Sequence, residues 1–168
     1  MEIAGKPIIH HVIDACEEMP RCVVVPYGDE ELIDCIGGRC PVFEGDEHDV
    51  AQRFAYALTQ MKADQFIRVC ADSPMLTPEI LRMVTKDGPA RAIRRTEGAH
   101  GLNVELVDSY RFLYHRPSFN RADREHVTLY LYRHYYSEVD YVRVEGSDCV
   151  VDTQEDFDRV KAMMEGLL

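Results

Sequence analysis

Two aspartates carry the clearest chemical signal in this sequence. In Val150-Val151-Asp152-Thr153-Gln154-Glu155-Asp156-Phe157 a short apolar run stops at a carboxylate and a helix begins at once. Thr153 is placed to cap that helix, with Asp156 as its capping-box partner beside the positive helix end. Phe66-Ile67-Arg68-Val69-Cys70-Ala71-Asp72-Ser73-Pro74 repeats the device, and Thr77-Pro78 opens the next helix with Thr as cap and Pro in the first position. Carboxylates at the carboxyl ends of two strands of an open α/β sheet sit where such sheets bind ligands. Held together there, Asp72 and Asp152 would bind a hard cation such as Mg²⁺ against phosphate oxygens, with Asp156 as a further ligand. Each also has a plainer reading. Asp72 could be an ordinary strand-end turn, Asp152 a solvated residue ahead of a cap, and Asp156 a first-turn acid favoured by the helix dipole alone.

The elements that must position these residues alternate along the chain. Pro7 opens a helix whose Ile8, Ile9, Val12, Ile13 and Cys16 share one face, and residues 22–25 follow as a buried strand. Residues 29–36 read as a short helix ended by Gly37-Gly38, and 41–43 as a strand. Val50, Phe54, Ala57, Leu58 and Met61 mark an amphipathic helix over 48–61 before a strand at 65–70. This rhythm predicts an α/β fold of three layers, a mostly parallel sheet covered by helices on both faces. Beyond residue 86 the pattern predicts strands at 90–94 and 102–107, a helix at 122–135, and a hairpin over 139–151 turning at Gly146-Ser147-Asp148. No linker divides the chain, so residues 1–168 read as one domain.

Composition excludes more than it specifies. A net charge of −11 leaves no broad basic face, which argues against nucleic acid or an anionic membrane as partner. Anionic substrates must then be met locally, by a metal and a few arginines. The six cysteines form no C-x-x-C pair, and Cys70 and Cys149 lie in apolar runs; reduced core thiols in a cytoplasmic protein are expected. His48 and His126 stand without a Ser or Cys at recognisable spacing, so no nucleophilic triad is supported.

Six ordered motifs carry a family resemblance: Ala4-Gly5-Lys6-Pro7-Ile8-Ile9; Val42-Phe43-Glu44-Gly45 with Asp49-Val50 and Arg53; Arg68 to Pro74; Gly101 to Glu105; Arg124-Glu125-His126-Val127-Thr128; and Val151 to Asp156. In this order they resemble the cytidylyltransferases of the spore-coat-polysaccharide type, related to the synthases of CMP-activated sialic and other sugar acids. The resemblance implies a glycosyltransferase-A-like nucleotidyltransferase fold, CTP as donor, a sugar or sugar acid as acceptor, Mg²⁺, and a homodimer. It assigns Asp72 and Asp152 to catalysis and metal binding, and Arg53, Gly45 and Asp72 to the nucleotide. Asn103, Glu105, Arg124, Glu125 and His126 go to the acceptor, Arg124 through a guanidinium fork suited to a carboxylate. The family usually has Asp where this sequence has Asn103. Arg53 could instead be a helical arginine whose stem covers the core edge. The tyrosines from Tyr130 to Tyr141 read as packing or a dimer interface.

The same resemblance implies a first strand and a phosphate-binding loop ahead of the Gly5-Lys6-Pro7 motif, where Met1 stands only three residues before Ala4. The expectation is a sheet lacking its first strand, with either a gap of unpaired backbone or two strands drawn together between 22–25 and 65–70. Two functions follow as alternatives: transfer of CMP from CTP with release of pyrophosphate, or a silent sugar- or nucleotide-binding, dimerising remnant.

Overall fold

The computed structural model describes residues 1–166. A short antiparallel pair, β1 (Glu2–Ile3) and β2 (Lys6–Pro7), turns through Ala4 and Gly5 at positive φ and leads into α1 (Ile8–Ala15). Pro7 stands at the N-cap of α1, and Ile9, Val12, Ile13 and Ala15 are buried, as the spacing predicts. The alternation then continues through β3 (Val23–Pro26), α2 (Glu30–Ile36), β4 (Val42–Gly45), α3 (Val50–Met61) and β5 (Gln65–Arg68). Asp29 and Asp49 cap α2 and α3 by accepting backbone N–H bonds from Leu32 and Gln52.

The second half departs further from the sequence pattern. Its elements are α4 (Pro78–Thr85), β6 (Ile93–Gly98), β7 (Glu105–Asp108), α5 (Ser109–His115), α6 (Arg121–Glu125), α7 (Leu129–His134), β8 (Val139–Val144) and α8 (Gln154–Met164). Thr77 holds the N-cap of α4 without a side-chain bond to it. The predicted helix at 122–135 is two helices, because Val127 adopts a φ of +51° to bury its side chain and so ends α6. Helix α5, which periodicity does not reveal, starts where the Asp108 carboxylate accepts the Arg111 N–H at 2.7 Å. The predicted 139–151 hairpin is absent: β8 lies parallel to β6, and 145–151 form no strand.

Sheet directions are mixed. β3 pairs with β4 in parallel, while the larger sheet runs β5-β7-β6-β8, with β7 antiparallel to both neighbours. The α/β layering holds, but the expected mostly parallel ladder does not, since the short loop from β6 to β7 returns the chain antiparallel. Alternation in β5 sends Phe66 into a cluster with Leu58, Val107, Phe112 and Leu131, and Ile67 and Val69 to the opposite face against Val12, Leu81, Leu106 and Val160. Helices α3, α5 and α7 thus cover one face, and α1, α4 and α8 the other. Among the described residues β3–β4 and β5-β7-β6-β8 are separate sheets, and β3 and β5 each have one edge with no strand beside it. Val23, Val24, Ile67 and Val69 are half-buried.

Candidate active site

The segments that carry the two signal aspartates meet, by a route that the sequence does not show. Strand β5 ends at Arg68, and Asp72 lies four residues beyond it in a turn. Asp152 is carried by no strand; it stands at the end of a segment that crosses the sheet after β8. That segment is seated by the Cys149 N–H donating to the His100 carbonyl (2.7 Å) and by the Val151 N–H donating to the Asp72 carbonyl (3.0 Å). Gly101 makes the seating possible. Its φ is +88°, and a Cβ there would lie 2.4 Å from the Val150 nitrogen, so a side chain would push the crossing segment off the β6–β7 loop.

Asp72 is half-buried and accepts a bond from the Ser73 hydroxyl at 2.9 Å; Asp152 is exposed. Neither has an ion-pair partner among the described residues. The half-buried Cys70 thiol senses both: burial pushes it up, and Asp72, Glu105 and Asp152 add to the rise, with Arg68 opposing. Two neighbouring carboxylates that no protein cation neutralises fit a hard divalent cation. No group of three or more His, Cys, Asp or Glu side chains has metal-binding geometry among the described residues.

Asp156 does not join them. Its carboxylate accepts from the Thr153 N–H (3.1 Å) and hydroxyl (2.7 Å) and from Arg159 (2.8 Å), which completes the capping box of α8. Those bonds, Arg159 first, hold its pKa down at about 2. The metal role is therefore corrected to a helix cap.

Glu105 is likewise not free to bind sugar hydroxyls. Only 6% exposed, it accepts from Arg68 (3.0 Å) and the Thr128 hydroxyl (3.0 Å) on one oxygen and from the Tyr132 hydroxyl (2.7 Å) on the other. Burial first, then the neighbouring Glu105, raises the Tyr132 pKa, so the phenol stays a donor. Asn103, expected to share a strand with Glu105, precedes β7 in a loop, exposed between the buried Leu102 and Val104. Arg124, Glu125 and His126 are exposed around the end of α6. Arg124 donates to the Phe119 carbonyl (3.3 Å) and stands 3.8 Å from Asp49, whose carboxylate is also 3.4 Å from Arg116. Arg124 is thereby tied to the N-terminus of α3.

Arg53 is 7% exposed, and its Nε has no hydrogen-bond partner. Burial lowers its pKa, with Asp46 and Glu47 opposing. Gly45 gives that arginine room, since a Cβ there would lie 2.6 Å from Arg53 Cγ and from Gln52 Oε1. A buried guanidinium with an unused donor is costly unless something binds it. The residues that sequence reasoning missed are Thr128 and Tyr132, which fix Glu105, and Asp49 and Arg116. Thr128 is the last residue of the Arg124–Thr128 motif, Asp49 belongs to the Val42–Arg53 motif, and Tyr132 is one of the tyrosines read as packing or a dimer interface; nothing marks Arg116.

The family model described as cytidylyltransferase matches residues 1–165. Over 167 residues the chain is 26% identical to the spore coat polysaccharide biosynthesis protein SpsF of Bacillus subtilis, covering 85% of this chain and 67% of that protein. It is 30% identical over 90 residues to a 3-deoxy-manno-octulosonate cytidylyltransferase of Idiomarina loihiensis, a match that covers 49% of this chain but only 36% of the relative. A cytidylyltransferase structure from Leptospira borgpetersenii superposes with a TM-score of 0.88 at 16% identity, over 100% of this chain and 79% of that one, and shows the shared nucleotidyltransferase fold. With the whole of its six ordered motifs inside one family match, the chain belongs to the cytidylyltransferase family.

Proposed function

We propose that the chain transfers CMP from CTP to a sugar or sugar acid, releasing pyrophosphate, in the synthesis of a surface polysaccharide or glycan. The observation that carries this reading is the bond from the Val151 N–H to the Asp72 carbonyl, which brings the segment bearing Asp152 against the turn bearing Asp72, two aspartates with no ion-pair partner among the described residues. Asp72 and Asp152 would hold Mg²⁺. When bound, such an ion neutralises charge on the phosphate oxygens as an acceptor hydroxyl displaces pyrophosphate. Arg53 would meet the nucleotide phosphates through the tip of its guanidinium, its Nε being sealed from solvent, and Gly45 keeps the space in which it lies. Asn103, Arg124, Glu125 and His126 remain exposed for the acceptor. No covalent protein nucleophile is needed, because phosphoryl transfer of this kind rests on positioning and charge.

Asp72→Asn and Asp152→Asn each remove one charge and keep the shape. Each should weaken Mg²⁺-dependent CTP binding by roughly tenfold or more in a calorimetric titration. Isotherms unchanged in both variants would remove the assignment.

A silent binding role is the competing reading. Pyrophosphate release from CTP with a panel of nonulosonic acids and simple sugars separates the two: binding without release selects the silent role. A homodimer belongs to our reading, supported by Tyr110, Tyr114 and Tyr136, which are 73%, 66% and 79% exposed. So does a cytoplasmic setting, in keeping with six free cysteines. Among the described residues no helix is long and apolar enough to cross a membrane.

A further inference from the structure

Arg68 is held in a way that its own packing does not explain. Alternation along β5 puts Phe66 and Arg68 on one face: Phe66 belongs to the aromatic core under α3, α5 and α7, and Arg68 is the next step toward the rim that carries Asp72. Glu105 lies directly opposite in the ladder and takes a single donor, Nη1, from Arg68. Thr128 and Tyr132 grip the same carboxylate from α7 and its N-cap, so it cannot turn to follow a moving guanidinium. Nε and Nη2 of Arg68 have no partner among the described residues, and neither is among the side-chain atoms sealed from solvent; the side chain is 26% exposed. A buried ion pair kept only for stability gains little over apolar packing. Here one edge of a planar fork is fixed and the other is left open to solvent, in a chain of net charge −11. Glu105 divides its charge among three donors, so the outward edge of Arg68 stays electropositive.

Resting on the function proposed above, we infer that Arg68 contacts an anionic oxygen pair of the substrate, a nucleotide phosphate or the carboxylate of a sugar acid, and that Glu105 is its positioning residue. A fork engages such a group with two parallel donors, which an ammonium cannot reproduce. The reading also accounts for why Thr128 and Tyr132 converge on a carboxylate that touches no ligand.

The test titrates the whole chain with two probes, CTP and 3-deoxy-manno-octulosonate, each in excess Mn²⁺. Arg68→Gln should lose roughly tenfold or more in affinity for one probe and spare the other, and Arg68→Lys should restore only part of it. Loss for CTP places a phosphate on Arg68, and loss for the sugar acid places its carboxylate there. Glu105→Gln should weaken the same probe selectively, whereas a purely structural residue would shift the melting temperature and both affinities together. Folded Arg68→Gln and Arg68→Lys that bind both probes as the parent does would overturn the inference, even if Asp72→Asn has lost CTP. A parent chain that binds neither probe would overturn the function beneath it as well.

Discussion

Glu105 at the start of β7 and Asp152 ahead of α8 are carboxylates of one rim with opposite surroundings. Glu105 is sealed and accepts three hydrogen bonds, while Asp152 is exposed on a crossing segment and has no ion-pair partner. A carboxylate whose oxygens are filled by the protein is part of the scaffold; one that the fold brings to another carboxylate and leaves unfilled is available to a ligand. Both had looked like ligand-binding residues in the sequence, and burial with partners is what separates them.

The contrast breaks most visibly through stability. Glu105→Leu strands Arg68 and Tyr132 and should destabilise the chain by about 3 kcal/mol, lowering its melting temperature by roughly 6–12 °C. Asp152→Asn should stay within roughly 0.5 kcal/mol of the parent. Thermal unfolding of the two variants checks this, and equal losses would erase the distinction between scaffold and ligand site.

A subtler break acts through the seat of the crossing segment. Gly101→Ala puts a Cβ against Val150 and Cys149 at a positive φ, at a cost of about 2 kcal/mol. Because the same segment carries Asp152, Mg²⁺-dependent CTP binding should fall along with the melting temperature. Intact binding at a lowered melting temperature would show that Asp152 does not depend on that seat.

The smallest effect sharpens the comparison with a third carboxylate. Asp156 has a folded pKa of about 2, below an unfolded value of about 3.9. Its contribution to α8 is therefore whole above pH ~4 and is lost as pH falls from there through about 2. An NMR titration of the Asp156 carboxyl should show that low midpoint, and Arg159→Ala should move it upward. A midpoint near the ordinary value in the parent would mean that the capping box is not formed, and would return Asp156 to the pool of free acids.

Much of the fold was legible because its signals are local. Ile9, Val12 and Ile13 of α1, the apolar stripe of α3, and Thr153 with Asp156 act within one or two helical turns, where periodicity and capping are fixed by neighbours in the chain. The metal pair Asp72 and Asp152 was legible as residues but not as geometry. The tertiary structure alone decided that the run before Asp152 is a crossing segment, because that depends on the carbonyls of His100 and Asp72 far back in the sequence. It alone set the direction of β7, the break at Val127 and the capture of Glu105 by Arg68, Thr128 and Tyr132. Side-chain type declares what a residue can do within its own turn or strand. Whether a buried donor then occupies it is a property of segments that meet only in the folded chain.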